Sequence, residues 1–397
     1  MISKMLKLGA VLVALVSIWL GMCFYTTIPV KMGFYRFLST LNPVLIGIMP
    51  IFLEGVPWGY TWEEYYSPET LQLLKGQRAI VTGGNSGIGF DLAMALFNNG
   101  VDVTITCRSE LKCATAKQAI EAEGGLNKGR LFTMLMDTSS FASVRSFCEN
   151  YVTTFSDHPI DMLFFNAGTN FIKLKNPEDN PDCAPKTAAD GIDYLFQVNY
   201  LSHHLMYRLL EPFLAPNARI VHTSSASAFS TFSYKVATDL ETLHGCSEPY
   251  LKSFTMENLS YGQSKLAQDL WCKALTRKLG LVNSNISANA FHPGLVNTAI
   301  FEKITAVSDI PNQAFMQDTI IPKYAWQSPD GALTGLFLAT HFDSRGKYYH
   351  PQAIEVVNEL AVDESLQDKL WDFSEELVQD YLTPIRGSVK AENEVAE

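Results

Sequence analysis

A tyrosine and a lysine four residues apart, in Tyr261-Gly262-Gln263-Ser264-Lys265, stand near the start of a stretch with helical patterning that runs from Leu259 to Leu279. At that spacing the two side chains share one face of a helix. A free phenol, with a pKa of about 10, is a poor proton carrier at neutral pH. An ammonium beside it stabilises the phenolate and brings the group into a working range. Ser225, in Thr223-Ser224-Ser225 at the end of a predicted strand, adds a hydroxyl able to hold a substrate carbonyl. Standing alone, the same serine would read as a helix or turn cap.

A separate stretch, Thr82-Gly83-Gly84-Asn85-Ser86-Gly87-Ile88-Gly89, is a candidate dinucleotide cradle by its own context. The preceding Arg78-Ala79-Ile80-Val81 reads as a buried strand, and the apolar, Ala-rich stretch from Phe90 to Phe97 reads as a helix. Between them Gly83 permits a tight turn, Gly87 lets backbone approach a pyrophosphate, and Gly89 lets helix pack on strand. The amides of the turn into the helix, at Asn85, Ser86 and Ile88, then face the phosphates. A second strand, Val101 to Thr106, ends in Cys107-Arg108 about twenty residues downstream. NAD asks for a carboxylate there, against the ribose hydroxyls, whereas a guanidinium suits a 2′-phosphate. The expected cofactor is therefore NADP(H), with Arg108 as the phosphate clamp; a solvated arginine at a strand end is the competing reading.

The elements that must position these groups follow from alternation. Predicted helices at Ser109–Glu123, Ser140–Phe155, Gly191–Leu214 and Leu259–Leu279 separate predicted strands at Leu131–Met136, Ile160–Phe165, Arg219–Thr223 and Ile286–Phe291. This predicts an α/β fold, a Rossmann-type doubly wound parallel sheet with helices on both faces over residues 75–382, with ligands at the carboxyl ends of the strands. Leu366, Leu370, Phe373 and Leu377, behind Asp363 as a cap, predict a last amphipathic helix. The polar tail, 383–397, reads as disordered.

Composition bounds the rest. With 397 residues, 47% of them hydrophobic, the chain can hold one large domain plus appendages. A net charge of −11 and no basic block in the body argue against a nucleic-acid partner. Seven cysteines, odd in number, scattered and without a C-x-x-C pair, read as reduced thiols and offer neither a zinc site nor a disulfide framework. Between Lys7 and Lys31 no residue is charged, and Leu8 to Tyr25 is almost continuously apolar, long enough to cross a bilayer. A cleaved signal peptide is the rival, opposed by the length of the run and the lack of a small-x-small site. A second uncharged run, Phe37 to Leu53, carries Pro43 and Pro50 and reads as an interfacial leg or as a greasy linker. Residues 1–60 are thus expected to form a membrane anchor and interfacial segment with membrane lipid as partner. Lys4 and Lys7 balance Lys31 and Arg36, so charge does not choose the orientation.

Taken in order, the glycine turn, Asn166-Ala167-Gly168 after the fourth strand, Ser225 after the fifth, Tyr261-x-x-x-Lys265, and Pro293-Gly294 after the sixth resemble the short-chain dehydrogenase/reductase superfamily over about Lys75 to Tyr381. Gln197 to His204, Cys107-Arg108, His292 to Thr298, and Gly346-Lys347-Tyr348-Tyr349 followed by a Trp-bearing helix are similar to its retinol dehydrogenase-like branch. The resemblance implies that Tyr261 is the general acid/base and that Lys265 binds the nicotinamide ribose and depresses the tyrosine pKa. It implies that Ser225 orients the reacting oxygen and that Asn199 holds a water linking Lys265 to solvent. Asp137 would contact adenine, Asn166, Ala167 and Gly168 would line the adenosine side, and Pro293, Gly294 and Thr298 would hold the carboxamide end. Phe165, in place of a common asparagine, departs from the pattern without removing a catalytic group.

The function expected is an NADP(H)-dependent oxidoreductase interconverting a lipophilic alcohol and its aldehyde or ketone. An apolar, Ile-, Phe- and Pro-rich stretch from Thr298 to Ala325 reads as a lid suited to such a substrate. The setting expected is the endoplasmic reticulum or a lipid droplet with the catalytic domain toward the cytosol, and a homodimer is left open. The rivals are a membrane-bound sterol, polyprenol or 3-ketoacyl reductase on the same scaffold, or a non-catalytic dinucleotide-binding scaffold protein, which would have no use for Tyr261.

Overall fold

A computed structural model describes residues 68–123, 128–170, 187, 189–228, 251–252, 257–282, 284–294, 296–302, 325–350 and 354–385. The expected anchor over 1–60, most of the expected lid (303–324) and the tail from 386 on lie outside them. Among the described residues no helix is long and apolar enough to cross a membrane.

The strands of the main sheet are β1 (Arg78–Val81), β2 (Asp102–Cys107), β3 (Leu131–Leu135), β4 (Ile160–Phe165), β5 (Leu214–Thr223), β6 (Ser287–Phe291), β7 (Tyr348–His350) and β8 (Ile354–Val356). They lie side by side in the order β3-β2-β1-β4-β5-β6-β7-β8. All neighbouring pairs are parallel except β7 and β8, which run antiparallel at one edge. Strand order therefore reverses between β1 and β4, and the crevice outside that reversal is where such a sheet binds ligands.

Every residue of β1 and of β6 is buried, as both faces of the sheet are covered. On one face α1 (Gly87–Asn98) and α2 (Glu110–Glu123) are joined by α6 (Ser328–Thr340), with Leu92, Leu96, Ile105 and Leu336 in one core. On the other, α3 (Phe141–Thr154), α5 (Leu259–Leu281) and α7 (Glu364–Val378) pack with α4, whose parts are Tyr194–Phe196, a π-helical turn Gln197–Leu201 and Ser202–Leu210. Their core holds Phe147, Leu205, Trp271 and Trp371. Asp363 caps α7 as expected, its carboxylate accepting from the Leu366 amide at 3.2 Å.

Beside the antiparallel edge strands β7 and β8 and the π-helical turn within α4, the structure departs from the expectations at three further places. β5 starts at Leu214 rather than Arg219, because Leu214 pairs with Ile160 across an irregularity in the β4 register. Helix α6 was not anticipated. Its Gly335 sits where a Cβ would come within 3.2 Å of the Phe291 ring, so glycine is what lets α6 lie close on β6. The third is a correction to the reading of every cysteine as a reduced thiol: Cys107 and Cys113 form a disulfide. The turn from β2 into α2 brings their Cα atoms to 5.8 Å, a proximity that a count of scattered cysteines does not reveal. Cys148 and Cys272 are free and buried.

Candidate active site

Three loops at the carboxyl ends of β1, β4 and β5 meet α4 and α5. The first loop is the glycine turn. Gly83 and Gly87 adopt φ values of +65° and +56°, the left-handed region that glycine enters without strain. A Cβ on Gly87 would lie 3.3 Å from the Thr298 methyl, which places Thr298 against the turn. A Cβ on Gly89 would collide with the Asn166 side chain and with the Gly83 carbonyl, so the start of α1 sits directly on the β1 and β4 loops. Ser86 is the N-cap of α1 in extended conformation, and its hydroxyl makes no capping bond. Asn85 and Ile88 complete the turn, half-buried.

Thr82 ties this turn to the second loop. Its hydroxyl oxygen accepts the backbone amides of Asn166 and Ala167, each at 2.9 Å. The Asn166 side chain in turn donates to the Thr82 carbonyl at 3.1 Å and accepts from the Thr223 hydroxyl at 3.2 Å. With both amides taken up by Thr82 Oγ1, its own proton is left for the Phe164 carbonyl or for His203 Nε2 at 3.0 Å. Burial holds His203 down at about 3, so the ring stays neutral.

Lys265 is 4% exposed and donates from Nζ to the Thr223 carbonyl at 2.7 Å. Its ammonium lies 5.5 Å from the centre of the Tyr261 ring, one helical turn away. Burial lowers the Lys265 pKa to about 7. The same burial pushes the Tyr261 phenol up to about 12, with the hydrogen bond from Ser225 pulling the other way. In the protein by itself desolvation thus dominates the tyrosine, and the depressed phenol pKa expected from the sequence is not reached. Ser225 stands at the end of β5, its hydroxyl accepting from the Ser227 amide at 3.2 Å. Its carbonyl accepts from the Ala228 amide at 3.0 Å and from the Tyr348 hydroxyl at 2.7 Å, so β7 pins the serine's turn from the far side.

Asn199 lies in the π-helical turn of α4, fully buried. Its side chain accepts the Thr169 amide at 2.8 Å and donates to the Thr169 carbonyl and to Ser264 Oγ, both at 2.9 Å. Its main-chain carbonyl is taken up by Gln268 Nε2 at 2.7 Å, with His203 Nδ1 at 3.1 Å. A Cβ on Gly168 would meet Asn199 Oδ1 at 3.1 Å and Lys265 Nζ at 3.6 Å, so both groups border that glycine. Any water that Asn199 shares with Lys265 would therefore attach at the side-chain oxygen, over Gly168.

The remaining cofactor candidates are more dispersed. Asp137 follows β3, and one carboxylate oxygen is spent on the Ser139 amide and hydroxyl at 2.9 and 2.8 Å. Arg108 follows β2, exposed and without a side-chain partner among the described residues. Pro293 is buried and Gly294 takes φ +96° after β6.

The family model for short chain dehydrogenase matches residues 77–237. The chloroplastic short-chain dehydrogenase TIC 32 A of Brassica napus is 32% identical over 313 residues, covering 76% of this chain and 88% of that protein. The chain belongs to the short-chain dehydrogenase/reductase family. Within it the retinol dehydrogenase-like branch is represented by retinol dehydrogenase 14 of Mus musculus, 30% identical over 77% of this chain and 87% of that one. A crystal structure from Mycobacterium paratuberculosis, of a protein described as uncharacterised, shares the fold with a TM-score of 0.56 at 22% identity, covering 82% of this chain and 98% of that one. The enzyme is a short-chain dehydrogenase/reductase of the retinol dehydrogenase-like type.

Sequence reasoning about this short-chain dehydrogenase/reductase missed Thr82, Gln268, Ser264 and Tyr348. Thr82 directly precedes the first turn glycine, and that adjacency was a usable signal. Tyr348 lies 123 residues from Ser225, and only the pairing of β7 with β6 brings them together.

Proposed function

We propose that this protein is an NADP(H)-dependent oxidoreductase that interconverts a lipophilic alcohol and its aldehyde or ketone, with Tyr261 as general acid/base. The observation that carries the reading is the meeting of Tyr261, Lys265, Ser225 and Asn199 in one buried cluster beside the glycine turn. The residues fit a dinucleotide. The left-handed Gly87 keeps clear the space that Thr298 borders, and the Lys265 ammonium, with only the Thr223 carbonyl as hydrogen-bond partner among the described residues, suits ribose hydroxyls. When bound, NADP(H) supplies the carbon that gives or takes a hydride.

The chain's own groups do the rest. Ser225 holds the reacting oxygen, and Tyr261 gives its proton to that oxygen in reduction or removes it in oxidation. The Lys265 ammonium favours the phenolate electrostatically, against the desolvation that raises the phenol. Arg108 holds the 2′-phosphate, Asp137 meets the adenine, Asn166, Ala167 and Gly168 line the adenosine side, and Pro293, Gly294 and Thr298 hold the carboxamide end. Asn199 holds the water over Gly168.

Relatives named for retinol and polyprenol support a lipophilic substrate; the polyprenol dehydrogenase of Danio rerio is 27% identical over 84% of this chain and 97% of that protein. The uncharged run from Leu8 to Tyr25 would anchor the enzyme where such substrates partition. The test is NADPH consumption by the full chain with retinal, a polyprenal, a sterol ketone and a fatty aldehyde. Turnover of at least one, with NADPH preferred to NADH, is expected. Tight NADPH binding with no turnover of any would overturn the enzymatic reading in favour of a dinucleotide-binding scaffold.

A further inference from the structure

We propose that Cys107 and Cys113 form a reversible thiol/disulfide site that sets how tightly the Arg108 turn holds the 2′-phosphate of NADP(H). The inference rests on the reading of Arg108 as the phosphate clamp. The disulfide encloses the turn that carries this arginine. β2 ends at Cys107, α2 begins at Glu110, and only Arg108 and Ser109 lie between. Cys113 sits in the first turn of α2, its amide bonded to the Ser109 carbonyl at 3.0 Å. The bond therefore ties the end of the strand to the start of the helix across the clamp.

Arg108 has no side-chain partner among the described residues, so its guanidinium is placed by the backbone of that turn alone. A covalent tie that narrows the backbone's range narrows the arginine's range with it. Thr106, the residue before Cys107, sets the clamp beside the glycine turn, its hydroxyl accepting the Gly83 amide at 3.3 Å. The open form also has a place in the fold: a reduced Cys113 thiol has the Met134 carbonyl of β3 as an acceptor, 4.0 Å from its sulfur. Both cysteines are nearly buried, but Leu111 between them is 76% exposed, so a local opening of the first turn of α2 suffices to admit a small thiol. The other described cysteines, Cys148 and Cys272, are free and lie in the core on the opposite face of the sheet, where neither joins this site.

The co-reactant is a low-molecular-weight thiol of the glutathione class. Its thiolate attacks one of the two sulfurs, forming a mixed disulfide and releasing the other cysteine as a thiolate. A second thiol then attacks the mixed disulfide and frees the remaining cysteine. The protein gains two electrons and two protons, and two small thiols leave as one disulfide. A domain facing the cytosol meets this chemistry continuously, because that compartment keeps thiols reduced.

The experiment equilibrates the full-length protein in reduced and oxidised glutathione, counts free thiols by mass-tagging, and measures NADP⁺ and NAD⁺ dissociation constants in each state. Expected are a bond mapped to the Cys107 and Cys113 peptides and NADP⁺ binding about fivefold or more tighter in the oxidised protein, with NAD⁺ unchanged. By linkage, saturating NADP⁺ should shift the thiol/disulfide equilibrium toward the bond by the same factor of about five, while NAD⁺ does not. Cys113→Ser should bind NADP⁺ at the reduced value and ignore the glutathione ratio. Failure of the bond to form at any ratio, or NADP⁺ constants equal within twofold in the two states, would overturn the proposal. Arg108→Asp separates the two layers. Lost NADP⁺ preference in that variant beside redox-insensitive binding in the parent sinks the switch alone, whereas unchanged preference sinks the clamp and the switch with it.

Discussion

Replacing Lys265 with methionine should stabilise the cofactor-free protein at acid and neutral pH while removing its activity. Burial lowers the Lys265 pKa from 10.5 to about 7, so the folded protein binds this proton more weakly than the unfolded chain does. Stability is therefore lowest below pH 7 and is regained as pH rises from about 7 toward about 10.5. At about 1.4 kcal/mol per pKa unit, the cost of the buried ammonium is about 5 kcal/mol at pH ~6, about 3 at pH ~8.5 and about 1 at pH ~10. Methionine keeps the length of the side chain but leaves the Thr223 carbonyl without the bond it has at 2.7 Å, a loss of about 1–2 kcal/mol. The variant should then exceed the parent by about 3–4 kcal/mol at pH ~6 and fall level with it or below near pH ~10. Urea unfolding of both proteins across that range reads the difference directly, since every other titrating group is common to the pair. A difference independent of pH would refute the claim that the ammonium is held in a desolvated site.

Three other substitutions probe the supports of the cluster. Tyr348→Phe removes the hydroxyl that holds the Ser225 carbonyl at 2.7 Å and should lower kcat about fivefold, the equivalent of about 1 kcal/mol, with NADPH affinity unchanged in steady-state and binding assays. Thr82→Val deprives the Asn166 and Ala167 amides of their shared acceptor; a stability loss of about 2–4 kcal/mol and weaker NADPH binding should follow in thermal melts and titrations. Asp363→Ala removes the α7 cap and should cost about 1 kcal/mol in unfolding experiments while leaving kcat as it was.

The parts of this fold legible in the sequence are those where local chemistry and tertiary role coincide. The glycine turn announced itself because the left-handed conformations at Gly83 and Gly87 demand that residue type between a strand and a helix. Tyr261 and Lys265 were visible because helical spacing alone puts them on one face. Helix α6 was hidden because it is apolar on most of its circumference and carries Gly331 and Gly335, which read as breakers until the Val296 and Ile88 side chains are seen against the first and the Phe291 ring against the second. The π-helical turn at Gln197–Leu201 has no sequence period of its own; it follows from how Asn199 is bonded to Thr169 after β4 and to Ser264 and Gln268 of α5, two segments distant in the sequence. The pairing of Cys107 with Cys113 depends on a strand ending where a helix begins, which cysteine counting does not resolve. The rise of the Tyr261 pKa is not legible from the Tyr-x-x-x-Lys spacing, because the packing that brings the ammonium near also buries both groups.

On the proposed function the Tyr261 hydroxyl exchanges the proton of the reacting alcohol, and most of the dinucleotide's binding comes from the other cofactor-binding residues. Tyr261→Phe measured in single turnover, with NADPH affinity determined in parallel, tests it most directly. Expected is a fall in the chemical step of about a hundredfold or more, with the NADPH dissociation constant within about twofold of the parent. Hydride transfer at the parent rate in a variant that still binds NADPH would contradict it.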